Sequence, residues 1–483
     1  MKFLGKDPNI IDAYYTATAE GAITAGKPVI VEADGDVAQV AETAATAGTP
    51  VILESNNCLG MLSVYHAAAE RVVVIYQRSS KVRARVGAVS GDTISWGSET
   101  DVESGNSYPH GLSYDSGQEQ VVAIYQDTDN SRYGTARVMT VNASGDSGSG
   151  NISSLGTPVV YNSATTYGGG GNGIAYDINA GKHLVAFRDS NNDGRGRVAT
   201  VSGTSISFGT EATFQSATAY FISVTYDEAA QKHIVFHNRN FTDGKAVVGT
   251  ISGTDVTFGS QAEFNGSNTG DNLRGAYDST SQKVVLAYRD NGNGAAGTAR
   301  VCTISGTDVS FGTKVVFESG QTAYNDTAAG GGKVVVSYED DSDTDQGKAV
   351  VGVVSGTDIT FGSPIEFDPV DVEYTAISYD AAADRMVIAY RDMDNSSRGA
   401  AVVFNQGSTN LTSENYIGIA ADTYADNEDS TIGIVGCIDR NQTSLTAGQQ
   451  YFVQGDGTLS TTAGSPSVLA GTAISATELV VKE

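Results

Sequence analysis

Four short acidic runs stand out for the chemistry their side chains could do: DTDNS from Asp127, DSNNDG from Asp189, DDSDTDQG from Asp340 and DMDNS from Asp392. Alternating Asp and Asn side chains can set several oxygens around one hard cation, and calcium takes about 6–8 oxygen ligands. Asp189, Asn191 and Asp193, followed by Gly194, match the first half of an EF-hand-type loop. Arg195 and Arg197 follow, and Thr200 stands where such a loop needs its closing Glu. Asp341, Asp343 and Asp345 form the second good alternation. These six residues are the candidate calcium ligands. The competing role is an Asx-stabilised turn, in which Asp and Asn bond the nearby backbone.

The residues offer little for covalent catalysis. The histidines are His66, His110, His183, His233 and His237. His183 and His233 occupy equivalent places in a repeat, which points to structure. His233 and His237 have i, i+4 spacing, but on a strand this does not make the helical metal pair of a zincin. There is no G-x-S-x-G elbow and no P-loop. Carboxylates are too frequent for sequence alone to single out a glycosidase pair, because function depends on their separation. Trp96 holds a place filled elsewhere by Phe208, Phe258, Phe311 and Phe361, so packing is its expected role. Cys58, Cys302 and Cys437 are odd in number and far apart, without disulfide or zinc spacing. No catalytic residue is nominated.

The elements that position the acidic runs come from an internal repeat. One unit reads GAYDSTSQKVVLAYRDNGNGAAGTARVCTISGTDVSFGTKVVFESG from Gly275 to Gly320. An aromatic-acid pair recurs at Tyr114-Asp115, Tyr176-Asp177, Tyr226-Asp227, Tyr277-Asp278 and Tyr379-Asp380, and Tyr65-His66 and Thr327-Ala328 are expected at the same place in two divergent units. The result is seven units with a period of about 50 residues, the range of propeller blades. The second is lengthened by a Gly/Ser-rich insertion at 142–154. In the unit quoted, four strand-like runs are expected: Arg274–Tyr277, Lys283–Tyr288, Thr298–Ile304 and Val309–Phe317. They are rich in Val, Ile, Tyr, Phe and Thr and separated by Gly, Asp, Asn and Ser. The SGTD and SGTS turns at Ser202, Ser252, Ser305 and Ser355 are hairpin signals. Four short antiparallel strands per repeat describe a β-propeller blade. The acidic runs join the second strand to the third and share a face with the Tyr-, Asn- and Gly-rich links between repeats, a surface suited to a glycan.

The chain ends supply a further expectation. The last strand of a unit reads GTPVVY at Gly156, GTKVVF at Gly312 and GSPIEF at Gly362, and the seventh unit loses this pattern after GAAVVF at Gly399. Gly48–Leu53 reads GTPVIL and is the missing strand. Pairing it with residues 374–404 would close the array and remove its free edges. The expected fold is all-β: a seven-bladed propeller over 46–407, closed by an N-terminal strand, plus a small β domain formed by 1–45 and 408–483. ITAGKPVIVEADG at Ile23 and LTAGQQYFVQGDG at Leu445 share one pattern and tie the two terminal pieces together.

The formal net charge of −27 over 483 residues repels phosphate backbones, so no nucleic-acid partner is expected. No apolar stretch is long enough to span a membrane, and the opening MKFLGKDPNIIDAYY lacks the apolar core of a secretory signal.

The terminal pieces resemble modules of bacteriophage virion surface proteins of the tail-fibre and head-decoration type found in marine phages. The residues that carry this are AITAGKPVIVEADGDV near the start, then YIGIAADTYADN, SLTAGQQYFVQGDGTLSTT and AGTAISATELVVK near the end. The resemblance implies a virion location, contacts with other virion proteins and a homo-oligomer, often a trimer, anchored by the terminal domain. The propeller would face outward, toward a host-surface glycan. The alternative is a propeller glycoside hydrolase or polysaccharide lyase, because propellers host both binders and enzymes.

Overall fold

The computed structural model describes residues 13–166, 172–270, 273–464 and 466–482. Among these the chain is all-β, apart from two single-turn 3-10 segments at Asp146–Gly148 and Asn291–Asn293. No helix among them is long and apolar enough to cross a membrane. The chain forms two compact units, Met1–Ala44 with Gly407–Glu483 and Ala45–Gln406.

In the unit Ala45–Gln406 every repeat is an antiparallel sheet. In the fifth repeat Arg274–Asp278, Lys283–Asp290 and Ala296–Ser305 lie side by side. The middle strand, KVVLAYRD, is buried on both faces, as its unbroken apolar run requires. The expected single strand Val309–Phe317 is instead broken. Asp308–Phe311 and the segment beginning at Val315 are separate strands, and both pair with Ala296–Ser305. The break falls at Gly312, whose amide bonds Val301 O at 2.8 Å. The neighbouring repeat approaches closely at this point. A Cβ on Gly312 would collide with the carbonyl of Thr357, in the next repeat's SGTD turn. Gly156, Gly209 and Gly259 meet the carbonyls of Thr204, Thr254 and Thr307 in the same way, Gly97 meets that of Gly150 in the insertion, and Gly48 meets that of Asp92.

Consecutive repeats are also joined through shared strands. Ala212–Asp227, Val315–Gly330 and Ile365–Asp380 each end one repeat and begin the next, with a register shift after the crossing. In the sixth repeat the place of the aromatic-acid pair falls on Ala329-Gly330, two residues beyond Thr327-Ala328. The Tyr379 ring of the next repeat lies against Gly330, where no side chain stands in its way.

The N-terminal strand lies where the repeat pattern requires it. Val51–Asn57 pairs with Arg398–Asn405 (Ala401↔Val51, Ala400↔Ile52), and Thr46–Ala47 pairs with the end of the same strand. Leu53, Cys58, Val72, Val74, Ala376, Val387 and Ala401 share one core, so the first and last repeats are packed together. The Tyr65 hydroxyl accepts the Ala382 amide at 3.2 Å, as Tyr114 and Tyr176 accept amides from the repeats before theirs.

The terminal unit holds two five-stranded sheets with one plan. The first runs, edge to edge, Tyr14–Thr18, Asp429–Gly433, Tyr416–Ala420, Pro28–Val31, Val37–Gln39. The second runs Ile438–Asp439, Leu479–Val481, Val468–Ala473, Gln450–Val453, Leu459–Ser460. Taken in chain order within each sheet, both follow first, fifth, fourth, second, third. The two similar TAG-to-DG segments are the second-to-third hairpins of a duplicated module. In the second copy a short link joins the third strand to the fourth. In the first copy residues 45–406 are inserted there, and the chain leaves and returns across Thr43 N to Ser408 O at 2.8 Å. Ile30, Val40, Tyr416, Tyr451, Val453, Val468 and Leu479 form the core shared by the two copies.

Two outcomes follow from these contacts. Gly312→Ala should cost about 1–3 kcal/mol in chemical denaturation, the usual cost of overpacking. Gly362→Ala should be near neutral, because its Cβ would meet only Val351 O at 3.8 Å. Equal costs would remove the proposed role of the glycine contact. Replacing residues 45–406 by a short Gly/Ser linker should leave a cooperatively folding terminal unit, checked by circular dichroism and thermal melting.

Candidate functional site

At the end of the second strand each repeat carries three residues with a recurring logic, the last of them just past the strand in the third repeat: Tyr76-Gln77-Arg78, Tyr125-Gln126-Asp127, Phe187-Arg188-Asp189, His237-Asn238-Arg239, Tyr288-Arg289-Asp290, Tyr338-Glu339-Asp340 and Tyr390-Arg391-Asp392. The first residue is buried, and its hydroxyl, where present, tends to find an acid: Tyr76 bonds Glu99 at 2.7 Å and Tyr125 bonds Glu103 at 2.8 Å. The middle residue hands a donor onward to the following repeat. Gln77 Nε2 bonds Ser107 O at 2.6 Å, Gln126 bonds Thr166 O and Asn238 bonds Thr269 O. Arg188 lies over the Tyr220 ring at 4.6 Å, Arg289 Nη1 reaches Asp341 Oδ2 at 3.4 Å, and Arg391 Nη2 reaches Asn57 Oδ1 at 3.2 Å.

Glu339 breaks this pattern by putting an acid where the others have a donor. It is 8% exposed, and its Oε2 is buried without a hydrogen-bond partner. Carboxylate oxygens of Glu339, Asp341 and Asp345 all lie within 4.8 Å of one another. Asp341 Oδ1 is likewise buried and unpartnered. Burial, then Asp341, Asp345 and Asp371, push the Glu339 carboxyl up to about 10. Asp371 is itself raised by burial and by Asp345. Three converging carboxylates can share a proton or hold a cation.

The six sequence-predicted ligands separate into different environments. Asp189 Oδ1 accepts the amides of Asn191 at 2.8 Å and Asp193 at 2.9 Å, while Oδ2 pairs with Arg195 at 2.9 Å. Asp193 pairs with Arg195 at 3.0 Å. The run of Asp189, Asn191 and Asp193 is therefore arranged as an Asx turn neutralised by its own arginine. Asp341 and Asp345 converge. Asp343, between them, points away to Lys348 at 2.8 Å, and the same lysine holds Asp340 at 2.7 Å. Glu339 takes the third place that the alternation gave to Asp343. A strand residue facing its neighbour escapes a search for alternating loop acids, although the change from Tyr-Arg-Asp to Tyr-Glu-Asp is visible once the repeats are aligned.

A second polar feature lies where the first strands of all the repeats meet. A cavity of about 160 Å³ is lined by Ser63, His110, Asn172, Ser223, Arg274, Asp326 and Ile377, among others. Burial lowers His110 to about 3, so the ring is neutral, and its Nδ1 faces the Asn172 amide. Burial raises Asp326 although Arg274 stands 3.6 Å away. Asp326 is the one carboxylate among the described residues of this lining. His183, His233 and His237 are fully buried, with their ring pKa values lowered mainly by desolvation. Trp96 packs over Gly87. Phe221, Tyr324 and Tyr374 sit in the register-shifted crossings with φ of 51°, 48° and 53°. The left-handed region is unfavourable for aromatic residues, and side chains held there cluster at binding sites. Tyr324 follows Ala323, the strand partner of Glu339, and its ring lies 4.8 Å from that of Tyr374.

No family model and no curated protein matches the chain. Among solved structures, one described as "Structure of SapL1 lectin in complex with alpha methyl fucoside" is similar at 12% identity. The match covers 65% of this chain and 97% of that one, with a TM-score of 0.39.

The raised Glu339 pKa sets a pH dependence. The unfolded chain loses this proton near the ordinary glutamate value and the folded chain holds it to higher pH, so stability falls as pH rises between the two. In chelator, Glu339→Gln should melt progressively above wild type from about pH 4 to about pH 8. A gap independent of pH would show that Glu339 is not a buried, protonated carboxyl.

Proposed function

We propose that this chain is a bacteriophage virion surface protein. Its duplicated terminal unit anchors and oligomerises it, often as a trimer in the proteins it resembles. The unit Ala45–Gln406 is a closed seven-bladed β-propeller displayed for contact with a host-surface glycan. The observation that carries this reading is the insertion itself. A whole repeat array leaves and returns through one loop of a small duplicated module, with Thr43 and Ser408 bonded at the junction. Attachment and display can then evolve separately. The closed ring is supported by the cavity common to all the first strands and by the core shared between the first and last repeats. Glycan contact is supported by Tyr324 and Tyr374, whose rings lie 4.8 Å apart and offer stacking faces and polar edges. No covalent chemistry is required.

A glycan-cleaving enzyme is the second reading, and one observation favours it: a carboxyl raised to about 10 lies beside two further carboxylates. Incubation with host envelope polysaccharide separates the two. Display predicts binding without new chain ends, weakened at least tenfold by Tyr324→Ala with Tyr374→Ala. Cleavage that disappears in Glu339→Gln would replace display with catalysis. Electron microscopy of the assembled particle should find the chain on its surface, with residues 45–406 outermost. Absence from purified particles would overturn the virion assignment.

A further inference from the structure

We propose that Glu339, Asp341 and Asp345 bind a calcium ion, which takes the place of the side-chain donor that the other repeats use to engage their neighbours. The inference goes beyond display and does not depend on the virion assignment.

Two departures from the repeat pattern fall on this one spot. Glu339 stands where the other repeats have Gln77, Gln126, Arg188, Asn238, Arg289 and Arg391. Asp345 is the second left-handed residue of its turn, a place held elsewhere by Ser80, Arg132, Phe241 and Ser397. Each change alone would put a negative charge into a partly buried position. Together with Asp341 they bring three carboxylates within 4.8 Å. Repulsion at this distance is unfavourable unless a proton is retained or a cation enters.

The protein's own cations do not fill that role as they do elsewhere. Asp189 is neutralised by Arg195, two residues into its third strand, and Asp392 by Arg398, which opens its own. The corresponding lysine of the sixth repeat, Lys348, is held by Asp340 and Asp343. Arg289 reaches Asp341 only through Oδ2 at 3.4 Å, leaving Oδ1 buried and unpartnered. Glu339, a residue more than nine-tenths buried, leaves Oε2 without a hydrogen-bond partner, and its carboxylate is one of the three that converge.

The donor set selects the ion. All ligands are carboxylate oxygens, without His or Cys, which disfavours zinc and copper. Three carboxylates, some bidentate, with Asp371 nearby and water completing the shell, suit the larger and more tolerant coordination of calcium. Magnesium demands a tight octahedron and sheds water reluctantly.

The test uses the full chain stripped with chelator, followed by calcium titration read by calorimetry and by melting temperature. Wild type should bind calcium and melt several degrees higher, with a smaller response to equal magnesium. Glu339→Gln, Asp341→Asn and Asp345→Asn should each weaken binding at least tenfold and abolish most of the calcium-dependent shift. Asp343→Asn and Asp189→Asn should keep both. The shift is compared with and without calcium for each variant, and unchanged circular dichroism confirms that the variants fold. Absence of binding at millimolar calcium would overturn the proposal. So would equal responses from wild type and Glu339→Gln, which would reveal diffuse binding to the acidic surface. Loss of glycan contact with retained calcium binding would count against the functional reading alone.

Discussion

Each repeat in the Ala45–Gln406 unit depends on its neighbour for its packing. A middle strand such as Lys283–Asp290 is apolar on both faces and cannot be satisfied by one sheet. The sheets must therefore stack, and their spacing is fixed where a bare glycine edge admits the next repeat's turn carbonyl. The Tyr hydroxyls and the donors at the ends of the second strands reinforce the same direction of contact. In a linear array of this kind the two end repeats would each leave an apolar face exposed. The N-terminal strand pairs with Arg398–Asn405 of the last repeat, and its Gly48 lies against the Asp92 carbonyl of the first.

Repetition also makes the site recognisable. Most acids in the turns have structural partners: amides, arginines or lysines supplied within the same repeat. Against that background a functional group appears as a departure, and Glu339 with Asp345 is the departure in which two changes meet. The same background accounts for two of the buried histidines. His237 occupies the place of the buried tyrosines, and His183 turns its Nε2 to Asp115 at 3.3 Å as part of the contact between repeats.

Much of the strand architecture was legible from the amino acids, because alternating β-branched and aromatic residues with Gly-rich turns have few other solutions. The completing strand was legible from GTPVIL, which repeats the GTPVVY and GTKVVF patterns out of sequence order. The broken fourth strand was not, since the close approach of Thr357 to Gly312 comes from another repeat and leaves no mark in the local residue pattern. The duplication in the terminal unit was half visible: the TAG-to-DG hairpins share residues, but the outer strands Tyr14–Thr18 and Ile438–Asp439 share only their position. Asp341 and Asp345 could be read from alternation, whereas Asp343 could not be told apart from them. Its side chain follows Lys348, a partner placed by strand pairing and not by the spacing of acids.

Hydrogen exchange of the intact protein tests the central dependence of each repeat on the next. If the array is closed, amides of Val51–Asn57 and Arg398–Asn405 exchange together, and as slowly as those of the interior strand Lys283–Asp290. Rapid exchange confined to those two strands, with the middle repeats still protected, would mean that the ends are open and that the account of a self-completing ring is wrong.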